Sequence, residues 1–158
     1  MQRCRARGGG STAEAARPGL DAGVLLIRHA SAGERDEWVG DDRRRPLDEG
    51  GRAQAAALPD LLAPYVVVRV LSSPADRCVQ TVEPLARARG LEVELRDELA
   101  EERQNGDGAE LVRSVLGADV AVSCHGGLAE AVAGESQKKA ETLVLDAQGR
   151  IAERLSPS

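Results

Sequence analysis

From residue 24 onward, short apolar runs alternate with stretches of helical periodicity. Val24–Ile27 is a continuous apolar run, which is typical of a strand that is buried on both faces. Three further segments with strand character follow at 66–71, 91–95 and 119–123. Helices are predicted between these strands and after the last one, at 49–63, 74–89, 109–116 and 128–133. Near the end, 142–146 and 150–155 flank Ala147-Gln148-Gly149, which predicts a hairpin at the edge of the sheet.

This alternation of strands and helices predicts an α/β fold. The expected architecture is a three-layer α/β/α arrangement with a mostly parallel central sheet and an edge hairpin. Residues 23–158 are predicted to form one domain. Residues 1–22 are rich in Gly, Ala and Arg and show no apolar periodicity, so they are predicted to be a disordered tail.

Local signals predict how the first two helices begin and end. Asp48 is a suitable N-cap for the first helix, and Pro59 predicts a kink or a break near Leu58. Ser73 is the predicted cap of the second helix, which we expect to end at Gly90.

Composition and charge exclude several classes of function. The chain of 158 residues has a formal net charge of −5 and only 1% aromatic residues, which disfavours nucleic acid as a partner. No apolar run approaches the roughly 20 residues of a membrane span, and no secretory signal is visible. We therefore expect a cytoplasmic protein. The three cysteines, Cys4, Cys78 and Cys124, form no CxxC pair and fit a reducing compartment.

Candidate catalytic residues follow three of the predicted strands. Arg28 and His29 come at the end of the first strand, Arg77 lies just after the second, and His125 follows the fourth. Ligands bind outside the carboxyl ends of the strands in open α/β sheets, so these four side chains are predicted to lie at one rim.

Together these residue types suit phosphate chemistry. Two guanidinium groups offer paired donors to phosphate oxygens. One neutral imidazole is a competent nucleophile toward phosphorus, and a second, when protonated, stabilises developing negative charge. The side chains supply the cations, so we expect no metal and no cofactor.

Several motifs around these residues resemble those of the histidine phosphatase superfamily, which has the phosphoglycerate-mutase-like fold. Leu26-Ile27-Arg28-His29-Ala30 resembles its Arg-His-Gly signature, and 73–81 is similar to its Ser-Pro-x-x-Arg-x-x-Gln-Thr element. Residues 122–127 resemble its second-histidine motif. The stretch from Arg45-Pro46-Leu47 to Ala55 resembles the small bacterial phosphohistidine-phosphatase branch, and histidine-phosphatase domains fused to Nudix hydrolases.

The resemblance implies a role for each matched residue. His29 would be the nucleophile that becomes phosphorylated, and Arg28, Arg77 and His125 would form the phosphate pocket. Arg45 would contact phosphate at the rim, and Glu101, in Leu99-Ala100-Glu101, would be the proton donor. The alternative proton donors are Asp36, Asp41 and Asp42.

The sequence departs from this family pattern at two positions. Ala30 stands where the family has Gly, and it fits if its φ is negative. Ala32 replaces a frequent Thr, whose hydroxyl contact Ser31 could supply. The segment after His125 is also short, which predicts an open, shallow pocket.

The function expected from these residues is a metal-independent phosphatase. Its partner would be a phosphorylated small molecule or a phosphohistidine protein, and the reaction would pass through phosphohistidine on His29. The alternatives are a non-catalytic phosphate-binding or interaction module of the same fold, and a phosphomutase, which needs a more enclosed pocket. A Cys124–His125 nucleophile pair is disfavoured, because adjacent strand residues point to opposite faces.

Overall fold

The computed structural model describes residues 23–157. Six strands form a single sheet: β1 (Val24–Arg28), β2 (Arg69–Ser72), β3 (Val93–Leu95), β4 (Val120–Cys124), β5 (Thr142–Leu145) and β6 (Ile151–Leu155). Four α-helices connect them: α1 (Glu49–Leu61), α2 (Asp76–Arg89), α3 (Ala109–Ser114) and α4 (Leu128–Ala133). Short turns of 3-10 or π helix lie in the connecting loops, at Arg35–Glu37, Asp42–Arg44, Asp97–Leu99 and Gln104–Gly108.

The strand order in the sheet is β3-β2-β4-β1-β5-β6. The first four strands are parallel, while β5 and β6 pair antiparallel with their neighbours and form the edge hairpin. This arrangement confirms the predicted fold class. The parallel part of the sheet brings the carboxyl ends of β1, β2 and β4 to one edge.

Alternation along β1 divides the core between two faces of the sheet. Leu25 and Ile27 pack on the face covered by α1 and α2, in a cluster with Leu58 and Leu85. The intervening residues Val24 and Leu26 pack on the opposite face, against the buried side chains of α3 and α4. Strand residues with both faces covered read as continuous apolar runs, which is why β1 was predictable.

The second strand begins later than its apolar run predicts. Val66–Val68 precede β2, which starts at Arg69, where Val120 of β4 becomes its partner. The Val68 N–H still donates to the Asp119 carbonyl at 2.9 Å, but the Val68 side chain is half exposed. Strand propensity alone therefore does not determine where the strand begins.

Helix α1 begins as predicted, with the Asp48 carboxylate accepting a hydrogen bond from the Gly51 N–H at 2.7 Å. Of the kink or break expected near Leu58, the break is wrong, because the helix continues through Pro59 to Leu61. The apolar face of the helix explains this result. Leu58 and Leu62 are both fully buried on either side of the proline, so their packing holds the last turn in place.

Helix α2 ends as predicted, with Gly90 in the left-handed conformation. The predicted Ser73 cap is wrong. The helix starts at Asp76, Ala75 occupies the N-cap position, and no side chain caps it. The Ser73 hydroxyl instead contacts the His125 ring, so this residue belongs to the candidate site.

Two further expectations concern the ends of the chain and membranes. The predicted disordered tail, residues 1–22, lies outside the described residues. Across residues 23–157, no helix has both the length and the apolar character needed to cross a bilayer.

Close approach between α1 and the loop after β1 generates a stability prediction. A methyl group at Gly51 would overlap the Ser31 carbonyl oxygen, whereas one at Gly50 would meet only the Asp48 carboxylate at 3.5 Å. We expect Gly51→Ala to lower the free energy of unfolding by about 1–3 kcal/mol. The matched Gly50→Ala change should raise it by about 0.5–1 kcal/mol, because alanine favours the helix. Chemical denaturation of both variants measures the difference, and equal effects would contradict the close approach.

Candidate active site

Strand register brings the two histidines together. Arg28 of β1 pairs with Cys124 of β4, and each histidine is the next residue along its strand. The His29 N–H donates to the Cys124 carbonyl at 2.9 Å, which extends the ladder by one bond. The centroids of the His29 and His125 rings lie 5.7 Å apart at an interplanar angle of 69°. The predicted convergence of the strand ends is therefore present in the structure.

The His29 ring has a defined tautomer. Its Nδ1 lies 2.8 Å from the Ala30 carbonyl oxygen, which can only accept, so Nδ1 carries the hydrogen. Nε2 then presents its lone pair, and within residues 23–157 no hydrogen-bond partner occupies it. Burial lowers the pKa of His29 to about 3; the hydrogen bond to Ala30 opposes this shift, and the nearby His125, Arg77 and Arg28 add to it. His29 is therefore a neutral imidazole at physiological pH.

The peptide after His29 is held by helix α2. The Ala30 N–H donates to the Thr81 hydroxyl at 2.9 Å, and that hydroxyl donates to the Arg77 carbonyl at 2.7 Å. Within the described chain, the non-glycine residues with positive φ are Asp119 and Ala140, so Ala30 meets the condition for replacing glycine. Ser31 does not supply the hydroxyl contact missing at Ala32, because its hydroxyl donates to Asp48 at 2.7 Å.

The His125 ring is held on two sides. Its Nδ1 lies 3.4 Å from Nη2 of Arg77, which can only donate, so Nε2 carries the hydrogen and donates to the Ser73 hydroxyl at 2.8 Å. The backbone N–H of His125 donates to Oε1 of Gln104 at 3.1 Å. Burial, and then the Arg77 charge, lower the pKa of His125. Both rings are thus neutral and fixed.

The Arg28 guanidinium lies against a glycine. Its Nη1 donates to the Gln137 carbonyl at 2.6 Å, and its Nε is buried without a hydrogen-bond partner. A methyl group at Gly126 would lie 2.8 Å from Cζ of Arg28, so a larger residue there would displace the guanidinium from its present position. The glycine after His125 in the sequence motif therefore makes room for the first arginine.

The Arg77 guanidinium is almost completely buried, with 1% of the side chain exposed. Nη1 donates to the Asp42 carbonyl at 2.8 Å, and Nη2 donates to Oδ2 of Asp42 at 3.0 Å. The Glu101 carboxylate lies 3.5 Å from Nη2. Nε of Arg77 is buried without a hydrogen-bond partner, as in Arg28. An unpaired buried donor on each arginine fits a site for an anion.

Glu101 is held by an arginine of the loop that follows β1. Its carboxylate receives two hydrogen bonds from Nη2 of Arg35, at 3.0 and 3.1 Å, and remains partly exposed. Arg45 lines the cleft beside His29, as expected for a residue at its rim. Its Nε donates to Asp42, and its Nη1 donates to the Ala32 carbonyl at 2.7 Å.

Two adjoining clefts open at this edge of the sheet. One, of about 510 Å³, is lined by Arg28 and His29; the other, of about 280 Å³, is lined by Arg77 and His125. Glu101 lines both. Both clefts are open to solvent, as expected, and the loop that contains Arg35 lines the larger one.

The remaining candidates lie at the margin of the site or away from it. The Asp41 carboxylate caps the turn at Arg43, and Asp36 is exposed. The thiol of Cys124 contacts the Ile27 carbonyl at 3.5 Å, and burial raises its pKa well above the usual value, which excludes a Cys124–His125 nucleophile pair. Within residues 23–157, no cluster of three or more His, Cys, Asp or Glu side chains has the arrangement of a metal site.

Three positioning side chains were not predicted for this site: Ser73, Thr81 and Gln104. Ser73 and Thr81 belong to the Ser-Pro-x-x-Arg-x-x-Gln-Thr element, so the motif did point to them. Helix-capping rules assigned Ser73 to the start of α2 instead. Gln104 carried no such signal, because it lies in a polar stretch with no periodicity. Its amide donates to the Gly126 carbonyl at 2.9 Å and its oxygen accepts from His125, which fixes the loop after β4.

Comparison with solved structures supports the same fold. SixA from Agrobacterium tumefaciens, a candidate phosphohistidine phosphatase, aligns with a TM-score of 0.72 and 28% identity, covering 88% of this chain and all of that one. The protein histidine phosphatase SixA complexed with tungstate aligns with a TM-score of 0.68 and 24% identity, covering 85% of this chain and 96% of that one. At 24% identity, the similarity to this second structure supports the fold alone.

Sequence comparison adds a curated relative and a family. The 8-oxo-(d)GTP phosphatase of Mycolicibacterium smegmatis is 48% identical over 64 residues, which are 40% of this chain but only 20% of that protein. The family model of the histidine phosphatase superfamily (branch 1) matches residues 24–112, which include β1, the loop after it and helix α2. The chain therefore belongs to the histidine phosphatase superfamily.

Proposed function

We propose that this protein is a metal-independent phosphatase that hydrolyses a phosphate monoester or protein phosphohistidine through a phosphohistidine intermediate on His29. The observation that carries the proposal is the state of this ring. Its Nδ1–H is bound to the Ala30 carbonyl, and its pKa is about 3, so a lone pair is available on Nε2 at neutral pH. The two guanidinium groups beside it balance the charge of a phosphoryl group.

In the first step, Nε2 of His29 attacks phosphorus, and the bond from phosphorus to the leaving group breaks. The leaving atom, an ester oxygen or an imidazole nitrogen, departs with the electron pair and takes a proton from Glu101. Nδ1–H of His29 remains on the Ala30 carbonyl, which stabilises the positive charge that the ring acquires. Arg28 and Arg77 hold the transferring group, and the His125 ring lies beside Nη2 of Arg77.

In the second step, a water oxygen attacks phosphorus of phosphorylated His29. Glu101, now a carboxylate, takes a proton from that water, and the bond from phosphorus to Nε2 breaks. The electron pair returns to the ring, which is again neutral, and inorganic phosphate leaves. Each group ends in its starting protonation state, and the cycle requires no other reactant.

Two relatives support different substrates for this chemistry. SixA from Agrobacterium tumefaciens is named for phosphohistidine, and the Mycolicibacterium smegmatis relative is named for a nucleotide. The larger cleft beside His29 leaves space for the remainder of a small phosphorylated molecule. A substrate panel for this chain should therefore contain an aryl phosphate, phosphorylated nucleotides and a phosphohistidine protein.

The protonation state of His29 gives a prediction that NMR can test. Because its pKa is lowered from 6.5 to about 3, the ring should stay neutral between pH 5 and 8, with the hydrogen on Nδ1. Below pH 6.5, His29 binds a proton in the unfolded chain but not in the folded chain. This residue therefore lowers the free energy of unfolding as the pH falls toward 3. Nitrogen-15 NMR of the two histidines measures both tautomer and titration, with His29→Gln as the assignment control. Titration of His29 near pH 6.5, or a hydrogen on Nε2, would contradict the proposed nucleophile.

Removal of His29 tests the reaction itself. We expect His29→Gln to reduce phosphate release from an aryl phosphate to the uncatalysed background, because no other described group can form the intermediate. The native chain should form an acid-labile, base-stable phosphoenzyme and should keep its activity in a metal chelator. Equal rates in both chains would refute the assignment. If the native chain binds phosphate but turns over no substrate of the panel, the alternative function, a non-catalytic phosphate-binding module, is favoured instead.

Glu101 and its neighbour provide a matched pair for the proton donor. Glu101→Gln should lower kcat by about 10²-fold or more for an alkyl phosphate, whose leaving group needs a proton. The effect should be much smaller for an aryl phosphate with an acidic phenol. Glu102→Gln keeps the same local charge change and should leave both rates near those of the native chain. An equal loss for both substrates would remove Glu101 from the acid role.

A further inference from the structure

We infer that Asp42 is a positioning residue for Arg77: it holds the outer edge of the guanidinium and leaves the inner edge to the phosphoryl group. This inference rests on the proposed function, because it assigns a role within the same site. A guanidinium group offers two paired-donor edges, one formed by Nη1 and Nη2 and one by Nε and Nη2. The contacts of Arg77 separate these edges.

Asp42 uses the first edge of the Arg77 guanidinium. Its carbonyl accepts from Nη1 at 2.8 Å, and its Oδ2 accepts from Nη2 at 3.0 Å. The other edge has no comparable partner. Nε is buried without a hydrogen bond, while the second direction from Nη2 leads to the His125 Nδ1 at 3.4 Å and to Glu101 at 3.5 Å. The unsatisfied edge therefore lies on the side of the histidine.

Asp42 also connects Arg77 to the loop that follows the nucleophile. Its Oδ1 accepts from Nε of Arg45 at 3.0 Å, and Nη1 of that arginine donates to the Ala32 carbonyl at 2.7 Å. A continuous series of hydrogen bonds thus runs from Ala32 through Arg45 and Asp42 to Arg77. Because Ala32 is three residues after His29, the series fixes the position of the guanidinium relative to the nucleophile.

The same contacts keep the Asp42 carboxylate ionised. Both carboxylate oxygens receive guanidinium hydrogen bonds, and Arg35 lies 3.5 Å from Oδ1 as well. Burial favours a raised pKa for Asp42, but the hydrogen bond from Arg45 and the charge of Arg77 outweigh it and hold the pKa below its usual value. An ionised Asp42 carboxylate is a suitable partner for orienting the arginine.

The opposite role is competition, in which the Asp42 carboxylate occupies the place of the phosphoryl group and must leave before an anion binds. The two roles predict opposite changes in affinity. A positioning carboxylate strengthens anion binding, so its loss weakens it. A competing carboxylate reduces the fraction of the protein that is able to bind, so its loss strengthens binding.

The experiment measures the affinity of the full chain for inorganic phosphate by calorimetry, together with kcat and KM on an aryl phosphate. We expect Asp42→Asn to raise the Kd of phosphate and the KM by about tenfold, the effect of one weakened charge-assisted hydrogen bond. Asp41→Asn is the matched control. Asp41 is adjacent, exposed and bonded to Arg43 rather than Arg77, so its loss should change the affinity by less than about twofold.

A double variant separates positioning from a general structural effect. In an Arg77→Gln background, Asp42→Asn should cause no further loss of affinity, because Asp42 acts through that arginine. Unchanged or tighter phosphate binding by Asp42→Asn would overturn the inference, and so would an equal loss with and without Arg77. The affinity measurement does not require turnover. If the native chain binds phosphate but hydrolyses no substrate, the proposed reaction is wrong. The phosphate affinities of the variants would still determine the role of Asp42.

Discussion

The candidate site depends on the register between parallel strands. Arg28 pairs with Cys124, and Ser72 pairs with Ser123. The residues that follow these pairs therefore lie side by side at the carboxyl ends of the three strands. Side chains alternate between the faces of a strand, and a slip of one residue would turn either histidine toward the opposite face. The buried apolar residues of β1 and β4 resist such a slip, because it would exchange the two halves of the core. The same packing that stabilises the sheet therefore sets the 5.7 Å between the rings.

Charge balance is the second constraint at this edge. Arg77 is a buried cation, and removing such a charge from water is unfavourable unless partners compensate it. The protein compensates it with Asp42 and Glu101, which reach it from two different loops. Arg35 in turn binds Glu101 and approaches Asp42, so the compensating carboxylates are themselves held. This network keeps the guanidinium ordered while the two histidines beside it stay neutral.

The sequence indicated the sheet and the four central side chains because each signal was local. A buried parallel strand has a continuous apolar run, and a charged or imidazole residue directly after such a run lies at its carboxyl end. The contacts of Asp42 and Gln104 could not be predicted in this way, because they depend on the paths of long loops without periodicity. Pro59 and Ser73 show the opposite error. Proline favours a helix break, but the packing of buried leucines keeps α1 continuous at Pro59. Serine favours a helix cap, but the Ser73 hydroxyl contacts the His125 ring.

The departures from the family motif at Ala30 and Ala32 favour packing. Ala30 and Ala32 are buried in a small cluster with Leu47, Ala55 and Ala140, which fastens the loop after the nucleophile to helix α1 and to the segment before β5. The methyl group at Ala30 therefore lies among apolar side chains, and the backbone there needs no glycine. Neither alanine removes a donor from Arg28 or Arg77, nor alters the hydrogen bond at Nδ1 of His29. Ala30 and Ala32, two of the features that motivated a non-catalytic interpretation, thus anchor the loop, and the two histidines and two arginines still meet at one edge of the sheet.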